Sequence, residues 1–278
     1  MTEQPTSAAA ETRPHPHLSV RREGPVLHVS LDNPTRRNAQ TPSLWLALAE
    51  VARTLPDDVR VVVLRGTGPT FSAGLDRAML APGGVDGEPD LIGMCVADPD
   101  GAATTIGHYQ EAFTLWRDAK AIVVAAVQGH AVGAGFQLAL GADLRIVADD
   151  VKFRMAETSL GLVPDLGGTS VLVEILGYAR ALELCVTSRT MEAQEAVATG
   201  LANLAVPVAE LAAATADVVA ALLEAPPAAA TATKLLLANA RRASRSEQLA
   251  AERSAQTVLI GGMARAYAAR DARTERDG

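Results

Sequence analysis

At 278 residues and 49% hydrophobic content, the chain is long enough for one large domain, or one domain with an appendage, built on a proper core. A net charge of −7 and an isoelectric point near 5.3 leave no basic field for nucleic acid or an anionic membrane surface, and 3% aromatic residues leave no platform for stacked bases. Two cysteines, Cys95 and Cys185, imply a reducing compartment rather than a disulfide framework, and no apolar run reaches the roughly 18–20 residues of a membrane span, so a soluble cytoplasmic protein is expected.

The first segment, Met1 to His17, is rich in Pro, Thr, Ala and charge and lacks the apolar stretch of a signal peptide; it is predicted to be a disordered tail. Leu18–Val20 and Val26–Leu31 flank Glu23-Gly24-Pro25 and read as a hairpin, which Asn33-Pro34 ends. Thr41-Pro42 supplies an N-cap and a first-turn proline to an amphipathic helix carrying Leu44, Leu48, Val51 and Ala52. Val59–Leu64 and Ile122–Val127 are compact β-branched runs, and Leu144–Val147 and Val151–Phe153 are shorter ones. Apolar strands separated by helices predict a mostly parallel sheet covered on both faces.

Between Arg77 and Ile106 the period dissolves into Pro82-Gly83-Gly84, Gly87, Pro89 and Pro99-Asp100-Gly101, which reads as a long loop of the kind that forms lids or pocket walls. Helix is predicted again over Gly107–Trp116. From Ser170 onward the pattern is helical, with breaks at Gly177, Gly200, Pro207, Pro226-Pro227 and Gly261-Gly262. The predicted organisation is a tail over 1–17, a catalytic core over 18–205, and a helical region over 206–278 that packs on the core and on neighbouring subunits.

Several motifs fail on inspection. A dinucleotide fingerprint opening at Gly133-Ala134-Gly135 would need glycine where Leu138 stands, and one opening at Gly66-Thr67-Gly68 would need it at Phe71. No P-loop, no G-x-S-x-G elbow and no C-x-x-C is present. The five histidines have no metal-ligand spacing, so no metal is expected; His28 reads as a half-buried strand residue and His108 as a residue just before a helix.

Two Gly/Ala-rich turns carry the chemistry. Phe71-Ser72-Ala73-Gly74-Leu75-Asp76 and Gly129-His130-Ala131-Val132-Gly133-Ala134-Gly135-Phe136-Gln137 each follow an apolar run. Two such turns can aim two backbone N–H groups at one oxygen, and small side chains leave the main chain open to it. A carbonyl substrate whose oxygen becomes an oxyanion follows. The same residues also suit strand-to-helix turns and close helix packing.

With Asn33-Pro34 through Arg37-Asn38-Ala39, the stretch Phe136-Gln137-Leu138-Ala139-Leu140, and Glu157 through Gly161-Leu162-Val163-Pro164-Asp165-Leu166-Gly167-Gly168-Thr169, these turns occur in an order and spacing that resembles the crotonase superfamily, the enoyl-CoA hydratase/isomerase family. The likeness runs from about Leu18 to the C-terminal helices. It implies an α/β fold with a ββα spiral core, a homotrimer or dimer of trimers, and an acyl-CoA thioester substrate with no separate cofactor. By position, Ala73 and Ala134 match the residues whose N–H groups form the family's oxyanion hole. Ala73, Gly74, Leu75 and Asp76 match the stretch that lies along the coenzyme, and Arg36 and Arg37 sit where basic residues commonly approach its phosphates; a solvated turn explains that pair equally well.

The resemblance also implies roles for three further residues. The family's hydratases hold a water between two glutamates, and here those positions are Gln137 and Glu157. An amide cannot take a proton at neutral pH, so Gln137 can orient a water but cannot be its base. Asp165 stands where many hydratases carry glycine and several isomerase branches carry an acid. Glu157 and Asp165 are therefore the pair expected to move a proton from one carbon to another, if burial separates their pKa values; the bland readings are a turn or cap residue for each. Enoyl-CoA isomerisation is the expected activity. Hydration by Glu157 with a Gln137-oriented water is the alternative, and a non-catalytic acyl-CoA-binding protein is the alternative of another class.

Overall fold

The structure, a computed structural model, describes residues 11–81 and 83–277, with side chains to residue 265. The chain divides after Ala220 into two compact units. In the first unit β1 (Glu11–His15), β2 (Leu18–Glu23) and β3 (Val26–Leu31) form an antiparallel ribbon. α1 (Pro42–Arg53) leads to β4 (Val61–Gly66), which lies parallel to β3, and α2 (Leu91–Ala97) and α3 (Pro99–Asp118) lead to β5 (Ile122–Val127), parallel to β4.

There follow β6 (His130–Val132), α4 (Ala134–Leu140), β7 (Leu144–Ala148) and β8 (Lys152–Arg154). Then come α5 (Gly168–Leu176), α6 (Tyr178–Thr187), β9 (Thr190–Glu192), α7 (Ala193–Ala198), β10 (Leu204–Val206) and α8 (Leu211–Glu224). A seven-stranded sheet has the order β1-β2-β3-β4-β5-β7-β10, and a three-stranded sheet the order β6-β8-β9. This is the α/β architecture expected, parallel from β3 to β10.

The core explains the pattern. Val61, Val62, Val63 and Leu64 are all buried, as are Val123 through Val127, because both faces of the central strands are covered. One face packs against α1 and α3, through Leu44, Trp45 and Leu48 on the first and Tyr109, Phe113 and Trp116 on the second.

Several expectations are corrected. Residues 1–10 of the expected tail lie outside the described residues, but Glu11–His15 form the edge strand β1, with Glu11 opposite Arg21 and Thr12 opposite Val20. The proline and charge that mimic disorder are those an edge strand tolerates, since Pro14 falls at the register shift between Thr12 and His15 and Arg13 pairs with Asp32 at 2.8 Å. The 77–106 stretch is largely ordered in helices. Asp90 and Asp98 cap α2 and α3 by accepting the Gly93 and Gly101 N–H groups at 2.9 and 3.0 Å, and Pro99 opens α3 eight residues before the predicted start. Glu88 ties the intervening loop to the start of α1 by accepting the Ser43 N–H at 2.9 Å and its hydroxyl. His108 lies inside α3 and is exposed.

In the second unit α9 (Pro227–Ala240) packs on α10 (Arg245–Asp277). Ser244 and Glu247 form a capping box ahead of α10: the Ser244 N–H donates to Glu247 Oε2 at 2.8 Å, and the Glu247 N–H to Ser244 Oγ at 3.3 Å. α10 runs through Gly261-Gly262 without the predicted break. A helical glycine costs about 1 kcal/mol relative to alanine, which a helix this long absorbs. No described helix is long and apolar enough to cross a membrane.

Candidate active site

The first turn leaves β4 and is held by buried polar groups that satisfy one another. Ser72, fully buried, donates its hydroxyl to the Asn38 carbonyl at 2.7 Å and accepts from Gln40 Nε2 at 2.9 Å and from the Gly74 N–H at 3.1 Å. Gln40 Oε1 in turn accepts Trp45 Nε1 at 2.7 Å. Asn38 Nδ2 donates to the Thr67, Thr70 and Phe71 carbonyls, which fixes the approach to the turn.

The second turn is bonded to the first. The Ser72 N–H donates to the His130 carbonyl at 2.9 Å, and the Val132 N–H to the Ser72 carbonyl at 3.0 Å. Gly74, at φ +83°, is where they touch: a Cβ there would stand 2.3 Å from the Val132 carbonyl oxygen and 3.3 Å from the Ala134 nitrogen. Only glycine meets both demands.

Hydrogen bonding changes the expected donor in the first turn. The Ala73 N–H is directed at the Arg37 carbonyl at 2.9 Å and is not available to a ligand. The Gln40 N–H donates to the Gly74 carbonyl and the Asp76 N–H to the Gln40 carbonyl, both at 2.8 Å. These bonds flank Leu75 and leave its own N–H on the opposite side, as in any parallel bridge. Among the described residues no acceptor takes the Leu75 N–H, so Leu75 replaces Ala73 as the donor candidate. Its signal is the pairing with Gln40, which no local sequence feature announces. Ala134 opens α4, where a first-turn N–H has no intrahelical partner.

Glu157, in the 3-10 turn Glu157–Leu160 after β8, lies over the second turn. A Cβ at Gly133 would stand 3.2 Å from Glu157 Oε1 and 3.7 Å from Oε2. Oε1 accepts Gln137 Nε2 at 2.8 Å, whereas Oε2 is buried and has no partner among the described residues. Burial raises the Glu157 pKa, the charge of Asp165 raises it further, and the Gln137 hydrogen bond opposes the shift. Burial raises the Asp165 pKa as well. α5 begins from Gly167 with no side-chain cap, so the N-cap reading of Asp165 is excluded.

Gln137, 1% exposed, is a strut. Its Oε1 accepts the Leu166 N–H at 3.0 Å and the Gly168 N–H at 3.2 Å, which turns its NH₂ toward Glu157. Of the expected coenzyme-binding residues, Arg36 pairs with Asp76 at 2.8 Å, and Asp76 also caps the following turn by accepting the Ala78 N–H at 3.1 Å. Arg37 is exposed and has no ion pair among the described residues.

Two contiguous turns that present main-chain N–H groups, with a desolvated carboxyl over the second, are an arrangement able to stabilise an oxyanion while a proton moves. The chain belongs to the enoyl-CoA hydratase/isomerase family, whose model matches residues 21–263, and it is an acyl-CoA-processing enzyme of the crotonase type. A protein of Thermobifida fusca YX described as an enoyl-CoA hydratase, solved in complex with acetoacetyl-CoA, is 47% identical over 88% of this chain and 95% of its own, with a TM-score of 0.85. An enoyl-CoA hydratase subunit of Geobacillus kaustophilus HTA426 is 29% identical over 89% and 93% of the two chains, with a TM-score of 0.75. Carnitinyl-CoA dehydratase of Escherichia coli (strain K12) is 36% identical over 197 residues, 70% of this chain and 69% of that protein.

Proposed function

We propose that the chain isomerises the double bond of an enoyl-CoA thioester. One of Glu157 and Asp165, as carboxylate, removes a proton from the acyl chain; the Leu75 and Ala134 N–H groups hold the thioester oxygen of the dienolate; the other carboxyl returns a proton to the carbon at the far end of the allylic system. No electron is exchanged, so the reaction calls for no redox cofactor, and the amide pair takes the place of a metal at the oxygen. Arg37 is the cation left to meet a coenzyme phosphate, and Ala73 to Asp76 lie along the coenzyme.

The observation that carries this reading is the occupation of Gln137. Both ends of its amide are engaged, which leaves Glu157 and Asp165 as two desolvated carboxyls with raised pKa and no second glutamate to share a water. The names of the relatives favour a second reading, in which Glu157 adds or removes water. Exposed Leu237, Val258 and Met263 in the second unit support self-association, which we read as a homotrimer or dimer of trimers.

Incubation with 2-enoyl-, 3-enoyl- and dienoyl-CoA esters, with products read by mass, separates the readings. Isomerisation conserves mass, hydration adds a water, and tight binding without turnover would leave the non-catalytic reading.

A further inference from the structure

The turn that carries Asp165 is clamped between two helices. On one side Gln137 of α4 accepts the Leu166 and Gly168 N–H groups, and a Cβ at Gly168 would stand 2.9 Å from Gln137 Cγ. On the other side Gln110 of α3 donates its Nε2 to the Asp165 carbonyl at 2.6 Å. Thr114, one helical turn further along the same face of α3, lies against Gly167, where a Cβ would stand 2.8 Å from its Cγ2 and where φ is +88°. Leu166 between them is buried in the core. The main chain from the Asp165 carbonyl through Gly168 is thus fixed.

We propose that Gln110 is a positioning residue for Asp165. It touches neither substrate nor carboxylate; through the main-chain carbonyl it sets where the Asp165 carboxyl stands relative to Glu157. This rests on the two-carboxylate reading above. Among the described residues Gln110 is the side chain that hydrogen-bonds the Asp165 main chain, and its helix follows the 83–98 stretch, so it ties that stretch to the site. A displacement on the order of 1 Å in a proton-transfer group costs up to about 10²-fold in rate, so loss of this bond should be visible in turnover without loss of binding.

The test is a double-mutant cycle on isomerisation of a 3-enoyl-CoA. Gln110→Met keeps the length and removes the donor; it should lower kcat by about 10-fold with KM unchanged. Added to Asp165→Asn it should lower kcat by less than about 2-fold more, because the group it positions is already disabled. Unchanged kcat in Gln110→Met, or losses that multiply in the double variant, would overturn the proposal. Asp165→Asn with full activity would instead remove the two-carboxylate reading, and the proposal with it.

Gln110→Glu provides a second readout if the methionine variant does not fold. A neutral carboxyl can donate to the carbonyl and an ionised one cannot, so its activity relative to the native enzyme should be highest at acid pH and fall as the introduced carboxyl ionises. A pH-independent ratio would contradict the assignment.

Discussion

The two halves of the site are held by opposite means. In the Ser72–Asp76 turn the buried side-chain polar atoms all have partners: Ser72, Asn38, Gln40 and Trp45 form one connected set that leaves only main-chain N–H groups to face a ligand. Around Glu157 and Asp165 the carboxyls are desolvated, they repel each other, and Glu157 Oε2 has no partner among the described residues. A satisfied network is rigid and suits donors that must not move; an unsatisfied carboxyl is destabilised in its charged form and suits proton transfer. Stability resides on one side of the site and reactivity on the other.

The largest effect should come from removing a fixed donor. Leu75→Pro deletes the N–H assigned to the thioester oxygen and should lower kcat by about 10²–10³-fold, whereas Leu75→Ala, which keeps the N–H, should cost little. Equal losses in the two variants would mean that the side chain, not the main chain, matters. On the other half of the site, Glu157→Gln and Asp165→Asn should each lower turnover by about 10²-fold or more while binding of a CoA ester survives, which calorimetric titration beside steady-state rates would establish.

Stability should respond in the opposite sense. Ser72→Ala leaves the Gln40 amide, the Gly74 N–H and the Asn38 carbonyl without their partner and should destabilise by roughly 1–3 kcal/mol for each group left unpaired, read by urea unfolding. A change below about 0.5 kcal/mol would place this hydroxyl outside the framework.

For the carboxyls the smallest effect has a definite sign. Their folded pKa values lie above the ordinary ones, so the folded state holds protons that the unfolded state has released, and stability falls as pH rises from the ordinary carboxylate range through the raised values. When ionised, each of these carboxyls is a net cost to the folded state. Glu157→Gln and Asp165→Asn should therefore match or exceed the native Tm at neutral pH, and the difference should vanish at pH below the ordinary carboxylate range. A lower Tm at neutral pH in both would show that the charges are paired by something beyond the residues described.

The strand runs Val59–Leu64 and Ile122–Val127 and the two turns were legible because their patterns are local. The edge strand Glu11–His15 was not, since a strand that pairs on one side needs no apolar period, and the helical character of residues 91–106 was hidden by glycines that Asp90 and Asp98 convert into helix starts. At the site, Ala134, Gln137, Glu157 and Asp165 are named only through the resemblance of their motifs to the family's. Leu75 could not be named, because which N–H stays free depends on the pairing of residue 75 with Gln40, distant in sequence. Gln110 was invisible for the same reason: its partner is a main-chain carbonyl on a segment that only the packing of α3 brings near.

The central claim is that two different carboxyls serve the two carbons. Turnover of a 3-enoyl-CoA in heavy water, with deuterium located carbon by carbon in the native enzyme, Glu157→Gln and Asp165→Asn, tests it most directly. The account predicts label at both ends of the allylic system with the native enzyme, label only at the carbon that loses its proton in the variant that lacks the proton donor, and none in the variant that lacks the base. Label retained at both carbons in Asp165→Asn, and lost from both in Glu157→Gln, would contradict it and leave Glu157 as the single acid and base.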